Sequence, residues 1–567
     1  MITLRSTMAL VLLAAIPMGC SILPGSSTED AAAKHVHPSP PQRVMPPGAG
    51  APLFGDLGDH HRTITTTSDL AQRYFDQGLI LTYGFNHGEA VRAFREASRL
   101  DPNCTMCFWG EAYALGPNIN APMDPGAAPQ AWAALQNARR AAPDTPGVER
   151  DLVEALAKRY AETPPKDRAP LDVAYADAMR TVAKNHPTDD DVQALFAEAV
   201  MDTMPWDYYQ ADGAPKPATR EVVATLERVL DRAPKHPGAI HFYIHAVEAS
   251  STPERAEAPA DRLRGLVPGA GHLVHMPAHV YLRVGRYHDA ATVNEDAAAA
   301  DESYITQCRV QGFYPASYYP HNVHFLWAAA SFEGRSAVAL AAADKLVALI
   351  PPEAADEFPF VEEFLAIDLY ARVRFGRWEE ILARPKPAEK RSYVTGVWHY
   401  ARGMALAATE RPDEAAGEER AVRAIASRDD MAALEFMSFS TPKLLLDIAD
   451  QVLLGRIAAA RGDWTGAIRH YERGVAGQDA LRYTEPPPWY FPVREALGDA
   501  LIGAGRPADA ERVFRTQLEK TPRNGWSLFG LGASLVAQGK TAEAEAAAAD
   551  FDDAWQLADV TLPAAMF

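Results

Sequence analysis

Cysteine is nearly absent from this chain, with four in 567 residues. That count excludes a disulfide-stapled fold and a framework of paired Cys-x-x-Cys zinc motifs. Positive charge is short as well. Lys and Arg number 55 against 74 Asp and Glu, a formal net charge of −19. Such a balance argues against nucleic acid, which needs a basic face, and against docking on an anionic membrane surface. Strand-like runs of Val, Ile and Thr are scarce while alanine is abundant, so the sequence predicts an all-α protein. No glycine-rich phosphate loop or serine nucleophile elbow is visible. The apolar run Met8 to Ile16 is too short for a typical membrane span.

What that run does belong to is a targeting segment. Arg5 supplies a positive start, and Gly19-Cys20 closes it. The segment resembles a bacterial lipoprotein signal, although Pro17-Met18 stand where that pattern has an aliphatic and a small residue. The resemblance implies a signal peptide over residues 1–20 and a lipid anchor on Cys20. It also implies an extracytoplasmic location, in the periplasm or cell envelope, with the membrane touched only through the lipid. An ordinary secretory signal is the alternative. Residues 21–52, rich in Ser, Pro, Ala and Gly, bury too little to fold alone and read as a linker. Residues 53–70 read as an ordered N-terminal strap, whose His60-His61 pair is not counted as a site. Cys104-x-x-Cys107 reads as a local disulfide in an oxidising compartment, with a redox or metal role as the alternative. Phe108 in place of histidine excludes c-type haem attachment.

From residue 71 a period appears. Tyr74, Gly78, Ala90, Phe94, Ala97 and Pro102 take positions 4, 8, 20, 24, 27 and 32 of a 34-residue frame. The frame recurs from residues 237, 271, 320, 448, 491 and 525, with weaker copies near 105, 190, 362 and 396. This resembles the tetratricopeptide repeat, a helix–turn–helix unit in which small residues let two helices cross and glycine makes the turn. The resemblance implies an α-solenoid, a superhelix over residues 71–557, with a short tail at 558–567. It also implies a groove lined by the first helix of each repeat, at positions 2, 5, 9 and 12. The stretches 116–129, 204–218 and 311–320 break the frame and read as insertion loops, the last two aromatic. They either roof a pocket or plug gaps.

The repeats over 237–351 carry the chemistry. His241 and His245 take groove positions 5 and 9, with Glu248 at 12; His272, His275 and His279 take 2, 5 and 9; His321 and His324 take 2 and 5. Seven of twelve groove positions are therefore histidine. Imidazoles crowded where solvation is poor oppose one another's protonation, and a transition metal relieves that. Neutral imidazole suits Zn, Cu or Fe, and seven exceed one tetrahedral site, so one or two ions fit. Glu248 is a ligand, an orienting carboxylate or a candidate general base, and Glu198 looks toward the same groove. Phe242 stands where a His-Glu-x-x-His zinc protease has its glutamate. Pro277, between His275 and His279, predicts a break in that helix. His87, His186, His236, His288, His399 and His470 read as ordinary surface or satisfied histidines.

His241-x3-His245 and Pro320-His321-Asn322-x-His324 are similar to the paired histidines of the tetratricopeptide repeat protein 38 family, which implies a shared groove and no particular reaction. The whole chain resembles uncharacterised bacterial tetratricopeptide lipoproteins. The leading expectation is an extracytoplasmic repeat protein that binds a transition metal in its groove. One alternative is a metal-dependent hydrolytic or oxidative enzyme acting on a small substrate. The other is a scaffold that grips a protein or peptide, through C-terminal groove residues such as Glu495 and Asp499.

Overall fold

Glycine at the turn and glycine at the crossing explain why the period becomes helix pairs. Frame position 15 holds Gly285, Gly334, Gly462, Gly505 and Gly539, and all five adopt a left-handed φ between 73° and 81°. A side chain would strain that conformation, so the first helix stops there and the second starts. At the crossing, a Cβ on Gly78 would lie 2.7 Å from the Phe94 ring, and one on Gly110 closer still. Phe94 therefore wedges three helices together only because two of them are bare at the contact. Phe514 repeats the arrangement between Gly498 and Gly530. Truncating either wedge costs about 3–5 kcal/mol.

The structure is a computed structural model, and it describes residues 44–566 apart from 47, 146, 211–212, 309–312, 352 and 389. The expected signal peptide, Cys20 and most of the linker lie outside the described residues. Among those described there is no strand, only isolated bridges such as Asn118–Ala121 and Tyr209–Pro215. Among the described residues no helix is long and apolar enough to cross a membrane. The fold is an all-α array of the tetratricopeptide type, in two compact units: Met1–Val280 with Asp296–Tyr319, and Tyr281–Glu295 with Pro320–Phe567.

In the first unit the helix pairs run Asp69–Tyr83 with His87–Leu100, Thr105–Ala114 with Ala128–Ala141, and Gly147–Leu156 with Ala169–Asn185. Asp190–Met201 with Pro217–Arg232, then Pro237–Val247 with Glu257–Leu263, continue the series. An extended strap lies across them. It starts earlier than expected, because Tyr74 donates its hydroxyl to the Ala51 carbonyl at 2.6 Å and Gln77 donates to that of Pro52 at 2.9 Å. Further along, Thr65 N–H donates to Glu149 and Thr66 to Asp101. The expected loop at 311–320 is instead, from residue 313, the start of helix Phe313–Phe332, with Pro320 inside it. Tyr314 helps anchor that extension: its hydroxyl donates to Asp301 at 2.9 Å and accepts the His272 N–H at 3.1 Å. In the second unit the pairs Pro442–Ala460 with Trp464–Asp479, Val493–Gly503 with Pro507–Lys520, and Gly525–Ala537 with Thr541–Ala554 follow the frame. Residues 558–566 pack back onto this unit rather than leaving it as a tail: Leu562 and Ala565 are buried.

Candidate metal centre

Two helix starts aim the histidines of the first unit. His236 caps Pro237–Val247, its Nδ1 accepting the Ala239 N–H at 3.1 Å. One turn in, His241 and His245 follow on the same side, with Glu248 just past the last turn. Helix Gly271–His275 carries His272 and His275. Pro277 has no N–H to continue it, so a new helix, Pro277–Val284, begins there and carries His279. His241, His245, Glu248, His272, His275 and His279 are all 0–1% exposed.

Their ring nitrogens meet in pairs. His241 Nε2 lies 3.2 Å from His272 Nε2, and His275 Nε2 lies 2.9 Å from His279 Nε2. His241, His245 and His272 each bring a nitrogen within 4.8 Å of the others'. Three oxygens lie behind the outer nitrogens. The Tyr83 carbonyl sits 2.5 Å from His241 Nδ1, Glu248 Oε1 sits 2.8 Å from His245 Nδ1, and Glu248 Oε2 sits 2.5 Å from His279 Nδ1. The first two are hydrogen bonds that hold the proton on Nδ1 of His241 and His245 and leave their Nε2 as a lone pair; the third is a close ion-pair contact. The His245 Nε2 lone pair is buried and has no hydrogen-bond partner. At 3.2 Å and 2.9 Å each pair must share a proton, donated by His272 or His275, or a cation. Two ligands of one tetrahedral ion with bonds of ~2.0–2.1 Å stand about 3.3 Å apart. A carbonyl or carboxylate behind the far nitrogen is also what orients metal-binding histidines.

Burial holds the His241 imidazole well below its ordinary range and lowers His245 too. For Glu248 burial acts upward, but His279 and His245 outweigh it and bring the carboxyl down to about 2. With both oxygens facing imidazoles, Glu248 is placed to orient two rings.

The groove that the tetratricopeptide resemblance implies is covered at these histidines by aromatic rings. Phe85 lies 4.5 Å from the His241 ring and 5.5 Å from that of His272, Trp206 lies 5.3 Å from His245, and Tyr318 lies 4.6 Å from His272. Trp206 Nε1 donates to Asn120 at 3.0 Å, so the 116–129 and 204–218 loops brace each other above the cluster. Phe85 and Trp206 both have left-handed φ, 55° and 59°. Phe85 occupies frame position 15, where five other repeats have glycine. Strain of this kind in bulky residues persists where the surroundings require it.

Family comparison bears on the other end of the chain. Tetratricopeptide repeat models match residues 452–483, 492–516 and 525–550. These stretches are tetratricopeptide repeats. A human IFIT1 dimer with m7Gppp-AAAA is 12% identical over 88% of this chain and 92% of its own, with a TM-score of 0.32. Yeast Tom70 is 10% identical over 84% and 90%, with a TM-score of 0.27. No curated protein matches.

His321 and His324 belong to the second unit. His324 stacks on Trp327 at 5.3 Å and lines a small cavity with Glu363, Tyr370, Tyr393 and Tyr490, so its ring is accounted for within its own repeat. Glu198 accepts the Tyr113 hydroxyl at 2.6 Å and lies near the buried Arg159–Asp202 pair, which engages it away from the imidazoles. Cys104 and Cys107 are joined by a disulfide. One hub has no signature in the spacing. Asp191 accepts from Tyr83 at 2.7 Å, His60 at 3.0 Å, His236 at 3.1 Å and Arg62 at 3.3 Å. It fixes the strap to Tyr83, whose carbonyl orients His241. The His236 proton points at Asp191, because Nδ1 is taken by the helix cap, so this trio reads as a clamp rather than a metal site.

Proposed function

We propose that the first unit binds a transition-metal ion, Zn, Cu or Fe, through the inward Nε2 atoms of His241, His245, His272, His275 and His279. Glu248 and the Tyr83 carbonyl orient them, and the two imidazole pairs accommodate one or two ions. The observation that carries this reading is the convergence of five buried imidazoles, with the Nδ1 protons of His241 and His245 held by the Tyr83 carbonyl and by Glu248 Oε1 and the buried His245 Nε2 left as a lone pair. We further propose that the protein acts outside the cytoplasm as a lipid-anchored member of the bacterial tetratricopeptide lipoproteins, akin to the protein 38 family. The Cys104–Cys107 bridge supports an oxidising compartment. Metal content of the purified soluble chain, by plasma mass spectrometry, tests the site. One or two equivalents of a single metal are expected, falling below a tenth of that in the His241→Ala/His275→Ala variant with unchanged circular dichroism. Equal metal in both chains, or none after reconstitution, overturns it.

A second reading, an interaction scaffold, is favoured by the repeats at 452–550. It concerns the second unit and is compatible with a metal in the first.

A further inference from the structure

Asp499 sits on helix Val493–Gly503, one turn beyond Glu495. Glu495 is fully committed: Arg374 donates to it at 2.7 Å, Asn524 at 2.8 Å and Ser527 at 3.3 Å. Asp499 has a different occupant. Its Oδ1 accepts the Ala565 N–H at 3.2 Å and its Oδ2 accepts the Met566 N–H at 2.9 Å. One carboxylate thus holds two successive backbone N–H groups of a segment without helix or strand structure, which is recognition of a peptide backbone rather than of a side chain.

The rest of the segment is seated as well. Ala565 is 0% exposed and Leu562 6%. Upstream, Asp559 accepts the Ser336 and Ala337 N–H groups at 2.6 Å and 2.9 Å, capping helix Ser336–Leu349, and Trp555 Nε1 donates to the Val560 carbonyl at 3.0 Å. The fit is incomplete at one point. Burial chiefly, with Glu495, pushes Asp499 up to about 7, while Arg456 lies near enough to pull it down. The buried Arg456 Nε has no hydrogen-bond partner. A guanidinium nitrogen left without an acceptor beside the seat is a cost that a better-matched occupant would remove.

We propose that the face of helix Val493–Gly503 around Asp499 is a peptide-binding seat that residues 562–566 fill in cis. A partner segment of the same chemistry displaces them. It is extended, has an aliphatic residue followed three positions later by a small one, presents two consecutive free N–H groups to Asp499 and offers an oxygen to Arg456. The chain's own segment then acts as a tethered competitor, at the high effective concentration a short connection confers. The proposal rests on the interaction-scaffold reading of the second unit, to which it gives a seat and an occupant, and is independent of the metal reading.

The test uses the soluble full-length chain and a fluorescein-labelled peptide of residues 557–567, followed by anisotropy. Ala565→Asp puts a carboxylate against Asp499 and expels the internal segment. This variant is expected to bind the peptide at least tenfold more tightly than the unaltered chain, and adding Asp499→Asn should undo most of that gain. A chain ending at residue 560 serves as a second opened form should Ala565→Asp fail to fold, as judged by circular dichroism. If the unaltered and opened chains bind equally, if no folded opened form binds, or if Asp499→Asn leaves binding unchanged, the segment is a structural buttress and the proposal fails.

Discussion

Glu248 is one residue with two obligations: Oε1 accepts the His245 Nδ1–H, and Oε2 lies 2.5 Å from the His279 Nδ1 as an ion-pair partner. Glutamine has the same shape but one acceptor oxygen, so Glu248→Gln must set an NH₂ against one of those nitrogens. One ring then turns, and its Nε2 leaves the cluster. On the metal reading, affinity should drop by about 10–100-fold, read by competition with a chelator, while the helical signal stays the same. Unchanged affinity would mean that Glu248 does not orient the ligands. Phe85 carries the complementary test. Its φ of 55° costs about 1–2 kcal/mol in a non-glycine residue, yet its ring covers His241 and His272. Phe85→Gly relieves the backbone and removes a buried ring worth about 3–5 kcal/mol. The net expectation is a loss of about 1–4 kcal/mol in urea unfolding, together with entry of zincon-type dyes to the cluster. A glycine variant as stable as the parent would show that the ring contributes no packing.

At the scale of elements, the break before Pro277 separates stability from site geometry. The proline removes the N–H that would bond the Leu273 carbonyl, and the His279 N–H turns to Met276 at 3.2 Å instead. Pro277→Ala restores the missing donor, so the helix Gly271–His275 can run on into Pro277–Val284. The melting temperature should hold or rise, because the added donor joins two short helices into one. His279 should at the same time rotate away from Glu248, and metal binding should weaken at least tenfold. A fall in both would make the break a packing requirement instead. This helix also shows what the sequence made legible. The frame placed His241, His245, His272, His275 and His279 on first helices, and the proline announced the break. Spacing along a helix says nothing about what arrives from elsewhere: the Tyr83 carbonyl is 158 residues from His241, and Asp191 gathers His60 and Tyr83 across similar distances. Phe85 left a trace, as a bulky residue at a position that is glycine in five other repeats. The Phe313–Phe332 helix hid behind its own Pro320, because proline and tyrosines read locally as loop while Asp301 and the His272 N–H anchor Tyr314 from a distance.

Over the whole molecule, the two units place ionisable groups of opposite habit in their interiors, so their acid responses should differ in sign at identifiable residues. In the first unit, burial, helped by Arg159, lowers His87 to about 4. An unfolded histidine titrates near 6.5. A group with a depressed folded pKa lends stability that is fully present above about 6.5 and is lost as pH falls toward 4. In the second unit, burial raises Glu363 to about 7, against the Ser438 hydrogen bonds, whereas an unfolded glutamate titrates near 4.3. Its contribution runs the other way: fully present below about 4.3 and lost as pH rises through 7. His87→Gln should therefore gain on the parent chain progressively from pH 6.5 down to 4.5. Glu363→Gln should gain progressively from pH 4.5 up to 7.5. Each change should reach about 1–3 kcal/mol, with hydrogen exchange near the substituted residue assigning it to the right unit. Parallel slopes for the two variants would contradict the burial assigned to one of these groups. Opposite slopes would establish that acidification loosens the first unit at His87 while tightening the second at Glu363.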